Sequence, residues 1–518
     1  MELISLIYAL VALAAAFYFF VKWRYTYWSS RNVVALEPTF FYGNLRTRKG
    51  KYITLVDAVV NAYKAAKAKG ERYAGVYLFI TPQFIPLDRE IIRSILFTHF
   101  DHFLNRGIHV NEKRDPLSGN LFNISDNKWR VLRTKLTPAF TTGKMKMMFD
   151  TVLECTTGLE EILKDCTNAN GPVDIKDVMG RFTTDVIGSV AFGLEFNSMK
   201  NGNCQLRQYG KYTFENNWRK KTHLFLAATF PTWFVNIVNE MGFSPTKKEI
   251  ETYFLDMVQS TVDYGEKNTV FRRDALHLLI QLKNMGKVLE DDEAALKGDH
   301  KNVSGTITMN ELAAQAFIFF IAGFETSATT MTFALLELAL NPDVQEKLRE
   351  EIKQTLKKND NKLTYESVVE MEYLEKVVCE TMRKHPPFHR LARLCNKDFK
   401  VPNSDLVIKS QMQVLIPVLA IHNDPEYYPN PEKFDPERFS KESIARRPPL
   451  TYFPFGDGPR NCLALRFGKL QAKLGLCTVV SNYNITLNEK TKLPIEYELN
   501  TVITVKDDVW LNLERLEK

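Results

Sequence analysis

One cysteine stands apart from the other six. Cys462 lies in the run Phe453-Pro-Phe-Gly-Asp-Gly-Pro-Arg-Asn-Cys-Leu-Ala-Leu-Arg-Phe-Gly-Lys. Glycines and proline shape a tight irregular loop, and a helical pattern, LALRFGKLQAKLGLCTVV, begins after the cysteine. A cysteine entering a helix N-terminus gains from the dipole and from free backbone N–H groups, which favour thiolate over thiol. A thiolate is a strongly electron-donating metal ligand. Arg460, two residues earlier, offers a cation to a ligand's carboxylate, and Phe455 can screen the sulfur from water. Cys155, Cys166, Cys204, Cys379, Cys395 and Cys477 make no CxxC pair and read as small apolar fillers. The low, odd count argues against a disulfide framework or structural zinc and for a reducing compartment.

Other groups have spacing that chemistry could use. Ala322-Gly323-Phe324-Glu325-Thr326-Ser327 sits inside a long apolar helical stretch, 309–333. A glycine there permits close approach, the Thr326 hydroxyl can bond the carbonyl of Ala322 and open the helix locally, and Glu325 can relay protons. Glu380 and Arg383, three apart, share a helix face and can together hold Arg438 of Pro436-Glu-Arg-Phe. Trp129 and Arg133, four apart, also share a face. Alone, each is matched by an ordinary alternative: a buried helix with a chance glycine, or a solvated ion pair.

In this order the groups resemble the cytochrome P450 superfamily. Phe455, Gly458, Arg460 and Cys462 match F-x-x-G-x-R-x-C-x-G, with Ala464 in place of its last glycine. Ala322–Ser327 match A/G-G-x-D/E-T-T/S, Glu380 and Arg383 match E-x-x-R, Arg438 falls in P-E-R-F, and Trp129 and Arg133 match W-x-x-x-R. Arg393, in PPFHRLARLC, matches a further arginine of the family. The segments LFNISDNKWRVLRTKLTPAF, DPEYYPNPEKFDPERF and FPFGDGPRNC are similar to insect microsomal members that oxidise plant toxins and insecticides.

The resemblance implies a mainly α fold with a small β region, and haem b held between the oxygen-activating helix and the cysteine-loop helix. Cys462 would be the axial thiolate. Trp129, Arg133, Arg393 and Arg460 would face the propionates, with Phe455 and Ala464 beside the ring. Ala322, Gly323, Glu325 and Thr326 would serve oxygen activation, and Glu380, Arg383 and Arg438 would lock the cysteine loop. Phe122, Phe317, Phe388 and Leu391 would line the substrate pocket. Electrons would come from NADPH through NADPH-cytochrome P450 reductase, with cytochrome b5 as a further candidate donor. The docking face would include Lys128, Arg130, Lys135, Lys144, Lys146, Lys469 and Lys473. The implied activity is insertion of one oxygen atom from O2 into lipophilic xenobiotics. A dedicated steroid, fatty-acid or hormone hydroxylase is the alternative. A non-catalytic haem-binding protein is a remote one, disfavoured by the intact Glu325 and Thr326.

The elements that would position these residues are legible in outline. Apolar periodicity predicts helices over 128–149, 175–192, 247–265, 309–340, 342–358 and 366–385, and strands near 75–90, 399–417 and 482–515. Leu3–Val21 carries no charge over 19 residues, which at 1.5 Å each span roughly 28 Å, near the thickness of a bilayer core. Lys22, Arg24 and Arg31 follow it, so the positive-inside rule puts the body on the cytosolic side, in eukaryotes at the endoplasmic reticulum. The upstream flank has no basic residue and no cleavage site precedes Lys22, against a removed signal peptide. The expected organisation is an anchor over 1–21, a linker over 22–50 and one haem-thiolate domain over 51–518. His223–Val238 is apolar and aromatic enough for either core or lipid contact. The net charge of +7 over 518 residues is too mild for a nucleic-acid binder.

Overall fold

The computed structural model describes residues 2–168, 171–215, 217–230, 232–243, 246–268, 275–287, 305–499 and 501–517. Helix α1, Glu2–Arg24, is apolar and turned outward from Leu3 to Phe20, with Val21 buried at its base. A hairpin of β1, Tyr73–Leu78, and β2, Thr81–Pro86, follows. The helix expected over 128–149 is divided into α2, Asp126–Leu136, and α3, Thr142–Asn168. Pro138 is the reason: without an N–H and with a fixed ring it stops the α-helical ladder, and residues 137–140 form a 3-10 turn instead. Next come α4, Ile175–Ile187, then α5, Trp218–Thr229, and α6, Thr232–Glu240.

The central helix is α7, Met309–Leu340. Thr308 and Glu311 start it with a capping box: each side chain accepts the other's backbone N–H, at 3.2 and 2.9 Å. Asn341-Pro342 ends it. It is long and apolar enough to cross a membrane, yet 67% of its apolar window is buried in the body; a helix apolar all round in a large domain is a core helix. Helix α8, Glu372–Lys384, is separated at Met371 from the short helix Tyr365–Glu370, so the single helix expected over 366–385 is two. Strands β3, Leu391–Leu394, and β4, Gln413–Ile416, complete a sheet of order β1-β2-β4-β3. Here β4 is parallel to β2 and antiparallel to β3. Helix α9, Leu465–Asn482, packs on α7, and small sheets close the C-terminal end.

The core has two parts, a large one around α7 and a smaller one around the sheet. Part of the 22–50 segment expected as a linker belongs to the second. Trp28 is buried, its Nε1 donates to the carbonyl of Val76 at 3.3 Å, and a Cβ on Gly75 would meet its ring at 2.5 Å. The chain leaving α1 is therefore docked on the sheet.

Candidate active site

The turn before α9 presents Cys462. Gly456 and Gly458 both take φ +71°, and a Cβ on Gly458 would lie 2.3 Å from the carbonyl oxygen of Leu96, so glycine is obligatory there. The Cys462 N–H donates to the carbonyl of Phe455 at 2.8 Å, folding the loop back on itself. Regular helix starts at Leu465, later than the sequence suggests, with Ala464 as its cap at φ −96°. That conformation does not demand glycine, and so the methyl of Ala464 is tolerated. Burial pushes the Cys462 thiol up; the N–H of Ala464 and the nearby Arg133 and Arg106 oppose this. A coordinating metal would deprotonate the sulfur outright.

The sulfur opens onto a cavity of about 1210 Å³. Phe455, Arg460 and Ala464 line it from the cysteine loop, Trp129 and Arg133 from α2, and Arg393 from β3. From α7 come Ile318, Phe319, Ala322, Gly323, Thr326 and Ser327. Thr326 Oγ1 donates to the carbonyl of Ala322 at 2.5 Å, a side-chain bond to the preceding turn within the unbroken α7. A Cβ on Gly323 would stand 2.7 Å from Ile187 Cδ1, so α4 packs close at this glycine and a larger residue would have to turn the Ile187 side chain aside. Phe122, Phe388 and Leu391 are also in the wall, the first two rings stacked at 6.2 Å.

Two expected residues lie elsewhere. Phe317 does not line the cavity; it packs in the main core with its ring 4.9 Å from Phe254. At 100° per residue it is on the far side of α7 from Phe319, Gly323 and Thr326. Glu325 sits just past the lining stripe. Burial raises its carboxyl; Lys176, Lys211 and Arg207 oppose this, and Glu498 adds to it.

The arginines explain themselves only with an anionic ligand. Arg460 donates to the carbonyl of Ile124 at 2.7 Å and lies over the Trp129 ring at 4.3 Å, while its buried Nε has no partner. Burial, then Arg393 and Arg133, pull it down to about 9. Arg393 is buried with an unpartnered Nε, and burial takes it to about 10. Arg133 fixes the loop, donating to the carbonyl and Oδ1 of Asn461 at 2.9 and 2.8 Å. Arg106, which no motif pointed to, donates to the carbonyls of Phe122 and Arg460 at 2.8 and 3.2 Å. Burial and three neighbouring arginines lower its pKa strongly. A thiol facing a large apolar space rimmed by cations that pair with no carboxylate among the described residues fits a flat, metal-bearing dianion such as haem.

Behind the loop, Arg383 Nε and Nη2 bond both oxygens of Glu380 at 2.8 and 2.9 Å, and both side chains are fully buried. Arg438 Nε stands 3.4 Å from the same carboxylate, which also accepts the N–H of Asp435 at 3.0 Å. Arg383 bonds the carbonyls of His422 and Pro431 as well. The basic residues expected on a docking face are mostly spoken for. Lys128 pairs with Glu112 and Glu311, Arg130 with Asp101, Lys146 with Glu366, and Lys135 donates to the carbonyl of Gly305. Lys144 is buried. Lys469 and Lys473 both pair with Glu375, and Lys473 is 5% exposed, too buried to meet a partner.

Fold and site together provide a large enclosed cavity that brings one cysteine sulfur, a helix hydroxyl and a set of arginines into the same space. The family model described as Cytochrome P450 matches residues 40–510. Over its full length the chain is 40% identical to the probable cytochrome P450 6a13 of Drosophila melanogaster, covering 100% of that protein. It is 39% identical to cytochrome P450 6A1 of Musca domestica, over 99% of this chain and 98% of that one. Cytochrome P450 6a2 of Drosophila melanogaster is 36% identical over 99% of each. The chain belongs to the cytochrome P450 family and is a cytochrome P450 monooxygenase of the kind found in these insect relatives.

Proposed function

We propose that the protein is a membrane-anchored monooxygenase that takes electrons from NADPH through a reductase and oxidises lipophilic small molecules, xenobiotics among them. The observation that carries this reading is one cavity holding the Cys462 sulfur, the Thr326 hydroxyl and a wall of phenylalanine and aliphatic side chains. In this reading Cys462 holds haem iron, Arg106, Arg133, Arg393, Arg460 and Trp129 hold its propionates, and Phe455 keeps water from the sulfur. Haem supplies the redox chemistry that splits dioxygen and leaves one oxygen atom for the substrate. The chain supplies the rest. The Thr326 hydroxyl, its proton given to the carbonyl of Ala322, turns its oxygen to the cavity as an acceptor and can release that proton by rotating, and Glu325, near Lys176 and Lys211, is the neighbouring group that can resupply it. The Glu380–Arg383–Arg438 group holds the cysteine loop in register. Anchor α1 and the outward apolar side chains of α5 and α6 support a membrane setting.

Reduction under carbon monoxide is the first test. The holoenzyme gives a thiolate-type Soret band, and Cys462→Ala loses it; a variant that kept it would refute the ligand assignment. With reductase and NADPH, a panel of lipophilic insecticides and plant toxins yields monooxygenated products. Turnover of a single endogenous lipid or hormone and nothing else would replace the xenobiotic role with a dedicated one.

A further inference from the structure

Arg106, Arg133 and Arg393 rim the cavity from three separate segments: an irregular loop, α2 and β3. One residue outside the cavity wall joins all three. Asn105 precedes Arg106 and is 7% exposed. Its carbonyl accepts the N–H of Leu394, the residue after Arg393, at 2.8 Å, an antiparallel bridge that pins the loop to β3. Its side-chain amide meets Asp126, the first residue of α2, from both ends. Nδ2 donates to the carboxylate at 2.8 Å, and Oδ1 accepts the Asp126 N–H at 2.9 Å. Nδ2 also reaches Oδ1 of Asn396, just past β3, at 3.3 Å. Asp126 has use for that grip. Its φ is +55°, in the left-handed region that strains most side chains and that Asn and Asp enter at least cost. This turn sets the direction in which α2 departs, and so where Trp129 and Arg133 fall about one and two helical turns later. Trp129 lies under Arg460, and Arg133 holds Asn461 of the cysteine loop. The Asp126 charge also supports Arg460 against burial and its two arginine neighbours.

We propose that Asn105 is the positioning residue of the cation rim: by holding Asp126 in its left-handed turn against the loop and β3, it brings Arg106, Arg133 and Arg393 to the spacing that grips a dianionic cofactor. The proposal rests on the reading of these arginines as the holders of haem. Asn105 touches no ligand itself; it acts through the direction of α2.

The test follows haem as it passes from the loaded full chain to an excess of apomyoglobin, read in the Soret band, with the urea midpoint measured alongside. Asn105→Ala is expected to lose haem about ten-fold faster than the natural protein, the scale of one or two buried hydrogen bonds. Asn105→Asp keeps an acceptor for the Asp126 N–H but drops the donor and sets two carboxylates face to face. It should also lose haem faster, and it serves if the alanine variant fails to fold. The decisive background is Asp126→Gly, because glycine takes a φ of +55° unaided. There Asn105→Ala should change little, so that the double variant keeps haem nearly as long as Asp126→Gly alone. Natural haem loss in Asn105→Ala would overturn the proposal. Equal acceleration in both backgrounds would also overturn it, since Asn105 would then not act through the turn. So would faster loss that merely followed a lower urea midpoint across the variants, the mark of general destabilisation. If the natural protein took up no haem, the cofactor reading would fail and the proposal with it; firm haem in natural protein and variants alike would sink the proposal alone.

Discussion

At the residue scale, the buried Glu380–Arg383 pair makes the sharpest demand on the chain. Two charges have left water, and each has its desolvation offset by the other and by backbone groups. Deleting one partner strands the other, at a cost of about 3–5 kcal/mol. Glu380→Ala is therefore expected to lower the denaturation midpoint severely and to yield protein with little haem, measured by urea unfolding and Soret absorbance. Unchanged stability would mean the pair is not an essential support of the cysteine loop. This pair was legible in sequence because i and i+3 on a helix must meet. Arg106 was not: it lies in an irregular segment with no fixed periodicity, and only the fold shows that it faces the cavity. Phe317 failed for the opposite reason, being placed by position in the family rather than by its angle on α7.

At the element scale, α8 and α9 are clamped by Glu375, which receives Lys469 and Lys473 from α9. Burial pushes this carboxyl up, but the two lysines overcome it and hold it at about 2, against 4.5 ordinarily. A carboxyl whose folded pKa is depressed contributes stability that is complete above the unfolded pKa and is lost as pH falls through the folded one. The expected window is thus from about pH 4.5 downward. The side chain is 36% exposed, so screening leaves ~1–2 kcal/mol of the effect. Urea midpoints measured from neutral pH down to about pH 3.5 should fall less steeply for Glu375→Gln; parallel curves would show that the clamp carries no stability. The long α7 could be read to the residue because capping and apolar signals agree at both ends. The 128–149 stretch could not, because its periodicity runs on through Pro138 while the backbone does not.

At the scale of the whole molecule, the question is how the body meets the membrane. The most apolar 18-residue window of the span Leu3–Arg31 has a mean hydropathy of 2.4 and is 6% buried, so the proposed membrane setting would cover the side chains that α1 leaves outside the body. It is not the sole apolar face turned outward. On and beside α5 and α6, Trp218, Trp233 and Ile237 are largely exposed, and Met241 is 81% exposed. Phe225 of α5 touches Phe41, and Phe41 touches Phe17 of α1, making one apolar surface with the anchor. Neighbouring helices present these side chains side by side, as an interfacial element does. Deleting residues 2–22 is therefore expected to weaken vesicle binding without abolishing it, in flotation on neutral phospholipid vesicles. Adding Trp233→Glu and Met241→Glu should release the shortened protein. Complete release by the deletion alone would assign membrane contact to α1 and leave the second face to protein partners. The cut has a lower bound set by packing: removing Trp28 would empty the space over Gly75 and unpair the carbonyl of Val76. A deletion through residue 30 should thus lose stability as well as lipid affinity, a difference that thermal unfolding of the two truncations would register.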